Sequence, residues 1–159
     1  MVAWLTTTLA RLRILAGIPA RYASSRFPGK ALALLAGHPL VEHVYRRVVA
    51  VKALDRVVVA TDDERIAAAV RAFGGEVRLT RADHRSGTDR LAEVAAAEAC
   101  DLVVNVQGDE PLIASQAIEQ ALMPFNWDSS LQVSTLKTPI RQPQDIENPP
   151  ALVLSKLVN

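Results

Sequence analysis

Arg56-Val57-Val58-Val59-Ala60-Thr61, followed at once by Asp62-Asp63-Glu64 and then by Ile66, Ala69, Val70 and Phe73 at helical spacing, is the stretch that decides the fold. Its first half is β-branched and almost wholly apolar, as a strand covered on both faces of a parallel sheet must be. Its second half is an amphipathic helix. Thr61 and Glu64 have the spacing of a capping box, and Gly74-Gly75 ends the helix. Asp62 and Asp63 resemble metal ligands at first sight, but acidic residues are ordinary in a helix's first turn, where they complement the dipole.

The same order of strand, polar loop and helix recurs on either side. Upstream, Ile14-Leu15-Ala16-Gly17-Ile18 runs into the loop Pro19-Ala20-Arg21-Tyr22-Ala23-Ser24-Ser25-Arg26-Phe27-Pro28-Gly29-Lys30. Pro19 removes a ladder donor and Gly29 supplies backbone freedom. A short apolar stretch, residues 31–35, reaches the turn Ala36-Gly37-His38-Pro39. Pro39 suits a helix's first turn, and Leu40, Val41, Val44, Tyr45, Val48 and Val49 then form an apolar face, with Glu42, Arg46 and Arg47 off it. His38 and His43 have no neighbouring ligand partner and read as turn and helix-surface residues.

Downstream, a strand over residues 76–80 leads into the polar segment Arg81-Ala82-Asp83-His84-Arg85-Ser86-Gly87-Thr88-Asp89-Arg90, and an alanine-rich helix follows over about residues 89–100. Leu102-Val103-Val104-Asn105-Val106 is a further strand, stopped by Gln107-Gly108-Asp109-Glu110-Pro111. Ser115 is placed to cap a helix burying Ala117, Ile118, Ala121 and Leu122. Residues 131–136 read as another strand, prolines at 139, 143, 149 and 150 mark loops, and residues 151–158 form a last apolar run. Four strand-loop-helix units predict a doubly wound, mostly parallel α/β sheet, with all three polar loops at the carboxyl edge where such sheets bind ligands.

The 159 residues suffice for one domain with a real core. A net charge of +1 argues against a general nucleic-acid or membrane surface, so any basic site is local. Cys100 is the single cysteine, which excludes an internal disulfide and fits a reducing compartment. No apolar run approaches the roughly 20 residues of a membrane span. Arg11 and Arg13 interrupt what would be a signal-peptide core, so residues 1–11 read as an extension and cytoplasmic location as the default.

Neither GxGxxG nor GxxxxGK[ST] occurs, and no His/Cys cluster suggests zinc. What the carboxyl edge offers is the cations Arg21, Arg26 and Lys30, a Ser86-Gly87-Thr88 turn and Asp109. Those parts suffice for a nucleoside triphosphate: cations for the phosphates, hydroxyls and amides for base or sugar, and a carboxylate for Mg²⁺. From spacing alone, a solvated basic loop, a plain Gly-Asp turn and a loop-bracing His84 are equally consistent with the same residues.

Residues 18–30, 60–62, 80–90 and 105–111, in that order and at those separations, closely resemble the 3-deoxy-manno-octulosonate (KDO) cytidylyltransferases, or CMP-KDO synthetases. Val133-Ser134-Thr135-Leu136 and Thr138-Pro139-Ile140 continue the likeness. The resemblance implies a Rossmann-like nucleotidyltransferase fold over residues 12–148 and transfer of CMP from CTP to KDO, giving CMP-KDO and pyrophosphate for lipopolysaccharide synthesis. It implies that Arg21 and Lys30 grip the triphosphate with Arg26 in support, Ala20 lying beside them. Arg81, His84, Ser86 and Gly87 would form the cytidine pocket, Gln107 would lie near the sugar acid, and Asp109 would bind catalytic Mg²⁺. Arg21, Lys30 and Asp109 are thus the expected catalytic set.

The chain also departs from the family. Gly17 and Ser25 are mild variations, and Asn148-Pro149-Pro150-Ala151-Leu152-Val153-Leu154-Ser155 stands where relatives read Asn-Pro-Asn and a valine-rich strand. Relatives continue through a segment carrying a second metal-binding aspartate, much of the sugar pocket and most of a homodimer contact. Residues 149–159 therefore read as a divergent, truncated end, explained by a stop or frameshift near Pro150. The expectation is poor turnover and a monomer with exposed apolar surface. The alternatives are a cytidylyltransferase for a related sugar acid and an inactive nucleotide-binding fragment.

Overall fold

The computed structural model describes residues 12–23 and 27–137, together with the backbone of residues 153–156. In chain order the elements are β1 (Ile14–Ala20), β2 (Leu34–Leu35), β3 (His38–Pro39), α1 (Leu40–Val49), β4 (Arg56–Thr61), α2 (Glu64–Ala72), β5 (Val77–Leu79), α3 (Gly87–Ala96), β6 (Leu102–Asn105), α4 (Ser115–Leu122), β7 (Val133–Thr135) and β8 (Val153–Lys156). Six strands make one sheet in the order β5-β4-β1-β6-β8-β7, and β2 pairs with β3 in a separate hairpin.

β1, β4, β5 and β6 run parallel, with Leu15 opposite Arg56 and Leu15 also opposite Val103. β8 lies antiparallel between β6 and β7. The sheet is thus mostly parallel, with the antiparallel pairing confined to its β8-β7 end. Alternate residues point to opposite faces. Ala16, Ile18, Val57, Val59, Leu102 and Val104 join one apolar cluster with Val44, Val48, Ile66, Val70 and Ile118 from α1, α2 and α4. Leu15, Val58, Ala60 and Val103 join a second with Leu91, Val94 and Ala95 of α3. Helices therefore cover both faces, and each fully buried valine of β4 contributes about 1.5–3 kcal/mol.

From β1 the chain winds outward through β4 and β5, then returns to place β6 on the other side of β1. The direction of winding reverses between β1 and β6, and a crevice at their carboxyl ends follows from that reversal.

Local corrections to the sequence reading have simple causes. β4 runs through Thr61 and α2 begins only at Glu64, so the cap falls two residues later: Asp63 caps α2, accepting from the Arg65 amide at 2.9 Å, while the Thr61 hydroxyl accepts from the Asp63 amide. Pro39 is spent in β3 and precedes α1 rather than opening it, while Ser115 lies inside α4 behind Ala114. α3 begins two residues earlier than expected because Ser86 and Asp89 form a reciprocal capping box, both bonds at 3.0 Å. Glu42, expected off the apolar face, is buried and held by Arg46 at 2.7 Å and His38 at 3.2 Å. The Arg46 hydrogen bonds depress its pKa against the opposing effect of burial.

Candidate active site

A cleft of about 330 Å³ opens between the carboxyl ends of β1 and β6. Pro19, Ala20 and Arg21 from the end of β1, Lys30 and Ala31 further along the same loop, Arg85, Ser86 and Gly87 at the start of α3, and Gln107, Gly108 and Asp109 after β6 line it. Three loops far apart in sequence meet here because each follows a strand that ends at the same edge of the sheet.

Gly29 sits at φ +71, a conformation that L side chains rarely adopt, and so turns the chain into the short 3₁₀ segment that begins with Lys30. Lys30 Nζ then donates to Asp109 Oδ2 at 2.7 Å across the end of the cleft. Both side chains are well exposed, 40% and 51%. Gly108 passes so close to β1 that a Cβ would lie 2.8 Å from the Pro19 carbonyl oxygen. The Gln107-Gly108-Asp109 turn can therefore be seated on β1 only with glycine in the middle. Burial raises the pKa of the neighbouring Glu110, and the Asp109 charge adds to the effect.

Arg21 spans the cleft, its Nη2 donating to the His84 carbonyl at 2.7 Å and its Nη1 to the Arg85 carbonyl at 3.4 Å. Ser86 and Gly87 form the start of α3, fixed by the capping box. Gln107 Nε2 donates to Asn105 Oδ1 at 3.1 Å, and Asn105 Nδ2 to Thr88 Oγ1 at 3.3 Å, which ties the end of β6 to α3.

Of the residues singled out in the sequence, Ala20, Arg21, Lys30, Ser86, Gly87, Gln107 and Asp109 line this one cleft. Arg81 and His84 are not on the lining. The His84 ring is buried against the Glu93 carboxylate, and Arg81 reaches Glu93 at 3.5 Å and Asp83 at 3.6 Å. Side-chain direction is what adjacency in sequence does not show. Arg26 lies outside the described residues, as do Ser24 and Ser25. The sequence reading passed over Arg85, which lines the cleft, and Glu93, which holds His84. The His84 hydrogen bond depresses the Glu93 pKa, with burial opposing.

Asp109 is the carboxylate on the lining. Among the described residues no three His, Cys, Asp or Glu side chains cluster as a metal site. One carboxylate in a cleft also lined by Arg21, Lys30 and Arg85 nevertheless fits Mg²⁺, which keeps several waters and is commonly held by one or two carboxylates plus substrate phosphates. No helix among the described residues is long and apolar enough to cross a membrane.

A switch-point crevice walled by Arg21, Lys30 and a helix N-terminus defines an α/β protein of the nucleotidyltransferase type. The Cytidylyltransferase family model matches residues 15–156, and the chain belongs to that family. Two relatives, from Geotalea daltonii and Pelobacter propionicus, are 56% and 55% identical over 138 residues, covering 87% of this chain and 54% of each relative. Both are named 3-deoxy-manno-octulosonate cytidylyltransferase. The chain thus spans about half the length of the curated relatives it matches. A solved structure of CMP:2-keto-3-deoxy-manno-octonic acid synthetase complexed with CTP superposes with a TM-score of 0.75 at 36% identity, covering 91% of this chain and 71% of that one.

Proposed function

We propose that the cleft binds CTP and that the protein takes part in transfer of CMP to KDO, with release of pyrophosphate. The observation that carries this reading is the convergence of Arg21, Lys30, Ser86, Gly87, Gln107 and Asp109 on one cleft, in a chain 55% identical to proteins named for that reaction. Arg21 and Lys30, with Arg26, take the triphosphate. Ser86 and Gly87 face the cytidine, Arg81 and His84 brace that wall, and Gln107 meets the sugar acid.

The sugar's anomeric hydroxyl attacks the α-phosphorus in line. One P–O bond forms, the α–β phosphoanhydride bond breaks, the hydroxyl proton passes to solvent, and pyrophosphate carries the leaving electrons. Such reactions depend on positioning and charge neutralisation rather than on a protein nucleophile. Asp109 is the residue that would hold Mg²⁺. When bound, that ion neutralises charge on the phosphates. On this reading the protein works in the cytoplasm, where CTP is available to it.

Titration calorimetry with CTP and Mg²⁺ tests the reading, with binding expected and its absence in well-folded protein overturning it. A product assay with CTP and KDO then tests transfer through the appearance of CMP-KDO with equimolar pyrophosphate.

A further inference from the structure

Arg90 is the largest side chain among the described residues with no exposure to solvent at all. It projects from the first turn of α3. Its Nη1 donates to the Thr80 hydroxyl and to the Arg81 carbonyl, the latter at 3.3 Å, and its Nη2 lies 3.2 Å from Asp62 Oδ2. None of these groups lines the cleft. They do bracket it. Thr80 and Arg81 open the 81–86 loop, Ser86 closes it as the cap of α3, and the Arg90 amide donates back to the Ser86 carbonyl at 3.3 Å. One residue thus ties the entry of that loop to its exit.

The arrangement is poor as a stabilising ion pair. Burying a guanidinium costs several kcal/mol, and a well-packed apolar side chain in its place is often neutral or better. Arg90 Nε and Nη2 and Asp62 Oδ1 are buried without a hydrogen-bond partner among the described residues. A cation kept there on incomplete terms is better explained by what it holds in place than by what it adds to stability.

We propose that Arg90 is a positioning residue: by fixing the span from Thr80 to Ser86 it sets the 81–87 wall of the cleft. This rests on the reading of that wall as the face that meets the base of CTP. An apolar replacement fills the volume without making the tie, and Asp62, 22% exposed, can then be hydrated. Lysine keeps the charge but not the fork that reaches Thr80 and Arg81 together.

The test compares Arg90→Met, Arg90→Lys and Thr80→Val with the unaltered chain, using melting temperature, CTP and UTP affinity with Mg²⁺, and amide exchange over residues 81–87 without nucleotide. Arg90→Met is expected to melt close to the parent, to bind CTP about tenfold more weakly, the equivalent of about one hydrogen bond to the nucleotide, and to lose CTP-over-UTP preference. Arg90→Lys should fall between. Thr80→Val should show a smaller loss with the same sign, and it decides the matter if Arg90→Met fails to fold. Faster exchange over 81–87, with β1 and β4 unchanged, supports the proposal. Folded variants with unaltered exchange and unaltered nucleotide preference overturn it. If the unaltered chain binds neither nucleotide, the CTP reading fails, and the exchange measurement alone then decides whether Arg90 sets the wall.

Discussion

The two sides of the cleft are held in opposite ways. On the 81–87 side, Ser86 is locked in a capping box, the His84 ring is buried on Glu93, the His84 and Arg85 carbonyls accept from Arg21, and Arg90 lies beneath with no exposure. The Lys30–Asp109 side is joined by one exposed pair. An exposed pair contributes at most about 1 kcal/mol, so exchanging its partners is cheap. The first wall is built before anything enters, which suits recognition of a rigid base. The second is two opposite charges that neutralise each other, a pair that the proposed triphosphate and Mg²⁺ would exchange for themselves.

Arg21 belongs to both sides and is the place where the contrast breaks most severely. Arg21→Ala removes the proposed phosphate grip and the brace under His84 and Arg85 at once. With charge-assisted hydrogen bonds each contributing about 1.5–3 kcal/mol, CTP affinity should fall about a hundredfold. Calorimetry reads the loss, and a change under about twofold would mean that the brace and the grip are not the same residue.

Lys30→Met probes the loose side alone. CTP affinity should drop about tenfold, while thermal stability moves by less than about 1 kcal/mol. Mn²⁺ added without nucleotide should bind more tightly than to the unaltered chain, because Asp109 is released. Weaker Mn²⁺ binding in the variant would show that Lys30 helps to build the cation site and does not compete for it.

The sequence made the edges of the sheet legible and the undersides of its loops illegible. Arg56–Thr61 could be bounded from its β-branched run alone, since only a strand covered on both faces tolerates it. The three polar loops could be placed at one edge because each follows a strand. Arg90 and Glu93 carried no such signal. On an alanine-rich helix, a buried cation and a solvated one have the same spacing, and only the fold shows that Thr80 and Asp62 come up beneath the helix. Glu42 failed for the same reason, being a carboxylate whose burial depends on Arg46 and His38 closing over it. The caps of α2 and α4 were displaced by one or two residues because strand and turn lengths, not propensity, decide where a helix can begin.

Ser86→Ala tests how much of the built wall is local. Loss of an N-cap costs about 1 kcal/mol, and in a chain of this size that lowers the melting temperature by about 2–4 °C. CTP affinity should weaken only slightly, since Asp89, Arg90 and Glu93 still anchor the start of α3. A large binding loss without a change in melting would instead make the hydroxyl a direct ligand of the nucleotide.

The smallest effect separates the two sides by pH. Glu93 has its pKa depressed below the usual 4.5 chiefly by the His84 hydrogen bond. A carboxylate with a depressed folded pKa stabilises the protein above its unfolded pKa, and the contribution is lost as pH falls through the folded value. At pH 7 the unaltered chain should therefore hold its 81–87 amides slightly better protected than Glu93→Gln, whose neutral amide is a weaker acceptor for the His84 ring than a carboxylate. Lowering the pH through and below the ordinary carboxylate range should close that gap: Asp89 and Asp62 titrate in both chains, but the unaltered chain alone also loses the Glu93 contribution. A gap of constant size would mean that the shape of residue 93 holds His84, and not its charge; the built wall would then owe its rigidity to packing, leaving Lys30–Asp109 as the part of the cleft governed by charge.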